Sequence, residues 1–145
     1  MAKPNYYQNL KTLFTEWMTT DEGINHPYSN QLKWAPDLFM LLCKLLVNPL
    51  VSIGDKAKLA SVVAYFAAPI DFIPEESEGP GGFVDDIALA AFVLDSIARN
   101  ASPSLIERHW QNSEIEAMTV VTDILQVAEE MVGEDIWMRL QSRVS

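Results

Sequence analysis

LASVVAYFAAPI at residues 59–70, DFIPEESEGPGGFV at 71–84 and DDIALAAFVLDSIA at 85–98 are three consecutive stretches of different character, and they decide the fold. In the first, Leu59, Val62, Val63 and Phe66 recur at helical spacing, which predicts a helix starting near Gly54. Pro69 predicts its stop, because proline disfavours helix in the residue before it. The middle stretch is rich in proline, glycine and acid, and predicts a loop over residues 69–82. In the third, Ile87, Ala90, Ala91, Leu94 and Ala98 keep helical spacing, giving a helix from about Phe83 to Arg99. Ala88, Ala90 and Ala91 are small and permit close approach of the preceding helix. Two apolar helices joined by an acidic loop make a central buried hairpin. The apolar run of the first is about a dozen residues, whereas a membrane span needs roughly 20.

Working outward, the pattern stays helical. Tyr7, Leu10, Phe14 and Trp17 fall on one face of a first helix from about Pro4 to Thr19. Residues 20–34 are polar, contain Asp21-Glu22-Gly23 and His26-Pro27, and read as a loop. Pro36 suits the first turn of a second helix. That helix runs to about Val47, and its leucines on nearly every face imply central burial. Ser52 or Asp55 is placed to cap the third helix. After the hairpin, Ser102-Pro103 reads as N-cap and first residue of a fifth helix. Met118, Val121, Leu125, Ala128 and Val132, flanked by Ile124, Val127 and Met131, form a wide apolar stripe. Gly133 suits a C-terminal cap, and Ile136, Trp137 and Leu140 suggest a short last helix. No stretch alternates with a period of two, so no sheet is expected.

Composition limits the function classes. The 145 residues are 49% apolar and 21% charged, enough to bury a core. One cysteine, Cys43, excludes a disulfide framework and a zinc site built of several thiolates. The net charge of −10 argues against nucleic acid as a direct partner. The charge is uneven: +1 over residues 1–58, −6 over 59–100 and −5 over 101–145. No Lys or Arg occurs from Leu59 to Ala98, while Asp71, Glu75, Glu76, Glu78, Asp85 and Asp86 all lie there. Lys3 precedes no apolar run, so no secretory signal is read at the N-terminus.

Residues 36–100 resemble the bacterial YkvA-like family, a domain of unknown function. The resemblance lies in Ala68-Pro69-Ile70-Asp71-Phe72-Ile73-Pro74-Glu75 and in Gly79-Pro80-Gly81-Gly82-Phe83-Val84-Asp85-Asp86. It consists of a PIDxIP turn, a glycine-containing loop and a DD pair at a helix start, with an apolar helix on either side. The resemblance implies a helical hairpin closed by an aspartate-bearing loop and supplies no reaction. It singles out Asp71, Asp85 and Asp86. The loop departs from the family in being unusually acidic and glycine-rich, whereas many relatives have a more apolar loop and look membrane-associated.

The simplest role of these aspartates is capping. Asp71 can hold the Phe72–Glu75 turn, and acids in the first turn of a helix are favoured by roughly 0.3–1 kcal/mol each. The functional reading is a divalent-cation site, since Mg²⁺, Mn²⁺ and Ca²⁺ prefer carboxylate oxygens. Asp71, Asp85 and Asp86 would be the ligands, with Glu75 or Glu76 adding one more. Gly79, Gly81 and Gly82 lack the Lys-Ser/Thr of a phosphate loop and read as turn residues. Cys43 reads as a small buried hydrophobe. His26 and His109 assemble no nucleophilic triad. Trp17, Trp34, Trp110 and Trp137 read as packing residues, with an exposed interface anchor as the alternative.

The expectation is therefore an all-α fold, a single compact bundle of five to six helices spanning residues 1–145. Residues 36–100 form its core, and 1–35 and 101–145 flank it. The preferred function is a non-enzymatic interaction module whose acidic 71–86 loop, with Glu75, Glu76 and Glu78, docks a protein with a basic surface. The alternative is a divalent-metal-dependent hydrolase using Asp71, Asp85 and Asp86. A peripheral membrane protein that rearranges its third and fourth helices is the second alternative. No organic cofactor is implied. The expected location is cytoplasmic, with a peripheral seat on the inner membrane as the secondary reading. Homo-oligomerisation through the Met118–Val132 stripe stays open.

Overall fold

The computed structural model describes residues 2–72 and 83–144, and the side chains of residues 6–66 and 83–144. Every regular element among them is a helix: α1 (Ala2–Trp17), α2 (Asp21–Asn25), α3 (Ser29–Leu32), α4 (Ala35–Leu46), α5 (Ile53–Phe72), α6 (Val84–Asn100), α7 (Pro103–His109), α8 (Ala117–Val132) and α9 (Glu134–Arg143). The expected all-α class is observed, with more and shorter helices than five or six.

Helix α6 lies at the centre. Asp86, Ile87, Ala88, Leu89, Ala90, Ala91, Val93, Leu94, Ile97 and Ala98 are all buried. This covers all but one narrow strip of the helix, where Asp85, Phe92, Asp95, Ser96 and Arg99 reach toward solvent, so neighbours must surround most of it. It packs most extensively against α8, and also against α5, α7 and α4. The alanines make that possible, because small side chains let helix axes approach. α4 packs on α5, and α1 lies on α4. One contiguous apolar cluster draws residues from α1, α3 to α9 and the intervening turns.

The predicted face of α1 is buried in full: Tyr7, Leu10, Phe14 and Trp17. The stripe on α8 is rotated from the predicted one. Val120, Val121, Ile124, Ala128 and Val132 are buried, whereas Met118 and Leu125 are only half-buried. α8 therefore covers the hairpin within the chain. All four tryptophans pack on or in the core, with Trp34 and Trp110 in ring contact at 6.1 Å. Cys43 is half-buried against the core rather than enclosed in it.

Two expectations about boundaries are corrected, and a boundary that spacing left open is fixed. Residues 20–34 are not a loop throughout but carry α2 and α3. Helices this short do not persist alone; here tertiary bonds hold them. Thr20 caps α2 by accepting from the Gly23 N–H at 3.1 Å. The Tyr28 hydroxyl donates to Glu130 at 2.8 Å, and Gln31 donates to Asp123 at 3.0 Å, tying α3 and its N-cap to α8. Second, α5 does not stop at Pro69 but continues to Phe72. Proline removes the helical donor to the Tyr65 carbonyl, and one residue further on α1 bonds this stretch of α5. The Tyr6 hydroxyl donates to the Phe66 carbonyl at 2.5 Å. Third, the run from Ser102 to Gly133 is two helices. Ser102 does cap α7, accepting from the Leu105 N–H at 3.3 Å, with Pro103 at its start.

The start of α8 shows how this break is held. Its own N-cap residue, Glu116, makes no capping bond. Glu107, ten residues upstream on α7, accepts from the Ala117 and Met118 N–H groups with its two carboxylate oxygens, both at 2.9 Å. The Trp110 indole donates to the Ile115 carbonyl at 2.8 Å and closes the intervening turn. Ser52, not Asp55, caps α5, accepting from the Asp55 N–H at 3.1 Å.

Two variants test this account in a thermal or urea melt. Glu107→Ala removes both bonds at the head of α8 and is expected to cost about 1–2 kcal/mol. Gly23→Ala would set a Cβ 2.0 Å from the Trp17 carbonyl oxygen. The backbone there must shift, at a cost of about 1–3 kcal/mol.

Candidate functional site

The mouth of the α5–α6 hairpin is built on aromatic rings. Phe83, buried just before α6, packs edge-on to Phe14 at 5.3 Å and lies 6.0 Å from Phe66. Phe39 lies 5.6 Å beyond Phe66, and Tyr6 follows at 4.7 Å. Four elements converge here: α1, α4, α5 and the start of α6.

Into this surrounding the first turn of α6 places Asp85 and Asp86. Asp86 stands three residues after Phe83, on the same side of the chain's helical path. Asp85 is half-buried, but Asp86 is only 2% exposed. Its Oδ2 is buried with no hydrogen-bond partner among the described residues. Burial, reinforced by the neighbouring Asp85 charge, pushes the Asp86 carboxyl up to about 8. The favourable field of a helix N-terminus acts in the opposite sense and does not offset the loss of water. Asp86 is therefore no ordinary surface cap. α6 begins with Phe83 as N-cap and has no side-chain capping bond there.

Asp71 lies in the last turn of α5, and α5 packs against α6. The topology thus brings the ends bearing Asp71 and the Asp85-Asp86 pair to the two sides of one connection. The side chain of Asp71, and Glu75, Glu76 and Glu78 entirely, lie outside the described residues. Among the described residues no three His, Cys, Asp or Glu side chains converge as a metal-binding group.

A second polar feature was not anticipated. Between α1 and α4 is a cleft of about 370 Å³ lined by Lys11, Phe14, Thr15, Lys33 and Asp37, among others. Burial pushes the Asp37 carboxyl up, while Lys11 and a hydrogen bond with Tyr7 pull it back. Lys11 sits over the Tyr7 ring at 5.8 Å. The sequence signal was the lysine enrichment of residues 1–58, which does not by itself pair Lys11 with Asp37. His109 is likewise placed by a contact that spacing does not reveal. Its Nε2 lies 2.7 Å from Asn48 Nδ2, joining α7 to the α4–α5 turn.

Comparison with known proteins falls on this same region. Residues 55–92, covering α5 and the first half of α6, match a family model described as a protein of unknown function, DUF1232. Over 125 residues the chain is 25% identical to a Methanothermobacter thermautotrophicus protein described as uncharacterized protein ORF9. That alignment covers 86% of this chain and 83% of the relative. No solved structure matches the chain. The family match is narrower than residues 36–100 and centres on the hairpin with its acidic mouth.

The raised Asp86 carboxyl has a consequence for stability. In an unfolded chain an aspartate titrates near 4; in the fold Asp86 titrates near 8. Between these values the native state holds a proton that the unfolded chain has lost, so stability falls as pH rises and levels off above the upper value. In chelator, the melting temperature should decline from pH 5 to 8, at a slope of up to roughly 1 kcal/mol per pH unit from this group. Asp86→Asn should flatten the decline and raise the melting temperature at pH 8.

Proposed function

We propose that the mouth of the α5–α6 hairpin is a cation-binding site, and that its ligand is a hard divalent cation such as Mg²⁺, Mn²⁺ or Ca²⁺. The observation that carries this reading is the buried Asp86 oxygen with no partner among the described residues. A buried carboxylate left unpaired is costly, and the usual remedies are protonation, an opposite charge or a metal. Asp85 and Asp86 on α6 would supply two carboxylates, and Asp71, at the end of α5, would be the third ligand. Glu75 or Glu76 would complete an oxygen-rich set of the kind such ions prefer. The YkvA-like pattern, PIDxIP followed by DD, is read here as the sequence form of that set.

In this reading the cation joins the two helices of the hairpin and fixes the connection between them. The chain is then a binding module rather than a catalyst. A second reading is favoured by the charge distribution. The absence of Lys and Arg from Leu59 to Ala98 suits docking of a basic protein surface by Glu75, Glu76 and Glu78.

A chelator-treated sample melted with and without Mg²⁺, Mn²⁺ or Ca²⁺ separates the two. A ligand that binds only the folded state raises the melting temperature. At a hundredfold excess over its dissociation constant the gain is about 2.7 kcal/mol. The shift should appear in the parent chain and vanish in Asp86→Asn. An unchanged melt with every cation would contradict the cation site. The docking reading would then be tested by reversing charge at Glu75, Glu76 and Glu78 and measuring capture of a basic partner.

A further inference from the structure

The end of the molecule opposite the acidic mouth has the reverse character. The turn between α4 and α5 exposes three large apolar side chains within seven residues: Val47 at 70%, Leu50 at 68% and Ile53 at 87%. Scattered exposed apolar residues need no explanation, but a cluster on one turn does. The turn is well tied. The Leu50 N–H donates to Asn48 Oδ1 at 2.7 Å, and the Val51 N–H donates to the Asn48 carbonyl at 3.2 Å. Val51 is buried as the anchor, Ser52 caps α5, and His109 holds Asn48 from α7. The backbone is thus fixed in a form that turns Val47, Leu50 and Ile53 outward.

Lysines flank this apolar tip. Lys44 precedes Val47 by three residues at the end of α4, and Lys56 follows Ile53 by three in the first turn of α5, so each shares a helix side with its apolar neighbour. Lys58 follows. Across residues 44–58 three lysines, each with a half-buried side chain, stand against one acid, Asp55, which is buried. The acidic mouth lies at the far end of α5, whose 20 residues separate the two by about 30 Å. That is several screening lengths at physiological salt.

We propose that the α4–α5 turn is a membrane-docking tip, in which Val47, Leu50 and Ile53 enter the headgroup region of an anionic bilayer while Lys44, Lys56 and Lys58 contact its lipid phosphates. Charge complementarity decides for anionic lipid over a neutral surface. Apolar insertion combined with a few lysines is the two-signal arrangement that reversible membrane attachment requires. The contact is peripheral: among the described residues no helix is long and apolar enough to cross a membrane. It also leaves the core intact, because the apolar faces of α5 and α6 stay buried.

The test is co-sedimentation of the full chain, in chelator, with phosphatidylcholine vesicles and with vesicles containing phosphatidylglycerol. Chelator keeps the hairpin's cation site from affecting the outcome. Binding is expected on the anionic vesicles, weakening with salt. The Leu50→Ser, Ile53→Ser double variant should lower partition by more than about tenfold. Each of Lys44→Gln, Lys56→Gln and Lys58→Gln should lower it by roughly fivefold. The melting temperature of the double variant should hold, since both side chains are already in water. No binding by the parent chain, undiminished binding by the double variant, or equal binding to neutral vesicles would each overturn the proposal. So would a parent dimer that the double variant converts to monomer without any vesicle binding, which would make the tip a contact between copies.

Discussion

Helix α6 is buried over most of its circumference, and the remaining helices are arranged by that requirement. A helix that leaves only a narrow strip (Asp85, Phe92, Asp95, Ser96 and Arg99) toward solvent cannot be covered by one neighbour. α5 and α8 take the largest shares, and α4 and α7 close the rest. Ala88, Ala90, Ala91 and Ala98 keep the central helix thin enough for this packing. The cost of such a position falls on any polar group the helix carries. Asp86 is that group, in the first turn, where the helix enters the core beside Phe83.

The molecule is therefore polar in a second sense, along the hairpin axis. One end carries acid over an aromatic floor, with a carboxyl that burial holds largely protonated near neutral pH in the absence of a cation. The other end carries an ordered apolar turn bracketed by lysines. α5 connects them as a single helix through Pro69. An ion that bridges the last turn of α5 and the first turn of α6 would act on the same helix that presents Ile53 at its start. The two ends are physically linked by a rigid element, although they would bind different partners.

Much of this architecture was legible from residue spacing. The hairpin, the buried face of α1, the proline at the start of α4 and the Ser102-Pro103 cap all follow from local chemistry. What spacing missed were mostly features held by distant contacts. α3 is too short to announce itself and depends on Tyr28 and Gln31 reaching α8, while α2 rests on the local Thr20 cap. The break between α7 and α8 depends on Glu107 capping from ten residues away. Pro69 locally favours a stop, yet α5 runs on to Phe72. At the site, the sequence singled out Asp85 and Asp86 as a pair. It gave no means of telling that one is half-exposed and the other buried, because that difference is set by how α6 is packed among its neighbours and not by residue spacing. The exposed tip was hidden for a similar reason: nothing in the spacing of Val47, Leu50 and Ile53 tells that the turn faces them to water.

The burial of Asp86 carries most of the functional account, so the most direct test is to follow its side-chain carboxyl carbon by NMR through a pH titration. In chelator the account predicts a midpoint near 8, which a saturating divalent cation moves well downward. A midpoint near 4 in chelator, the value of an aspartate in water, would show that Asp86 is solvated and would contradict it.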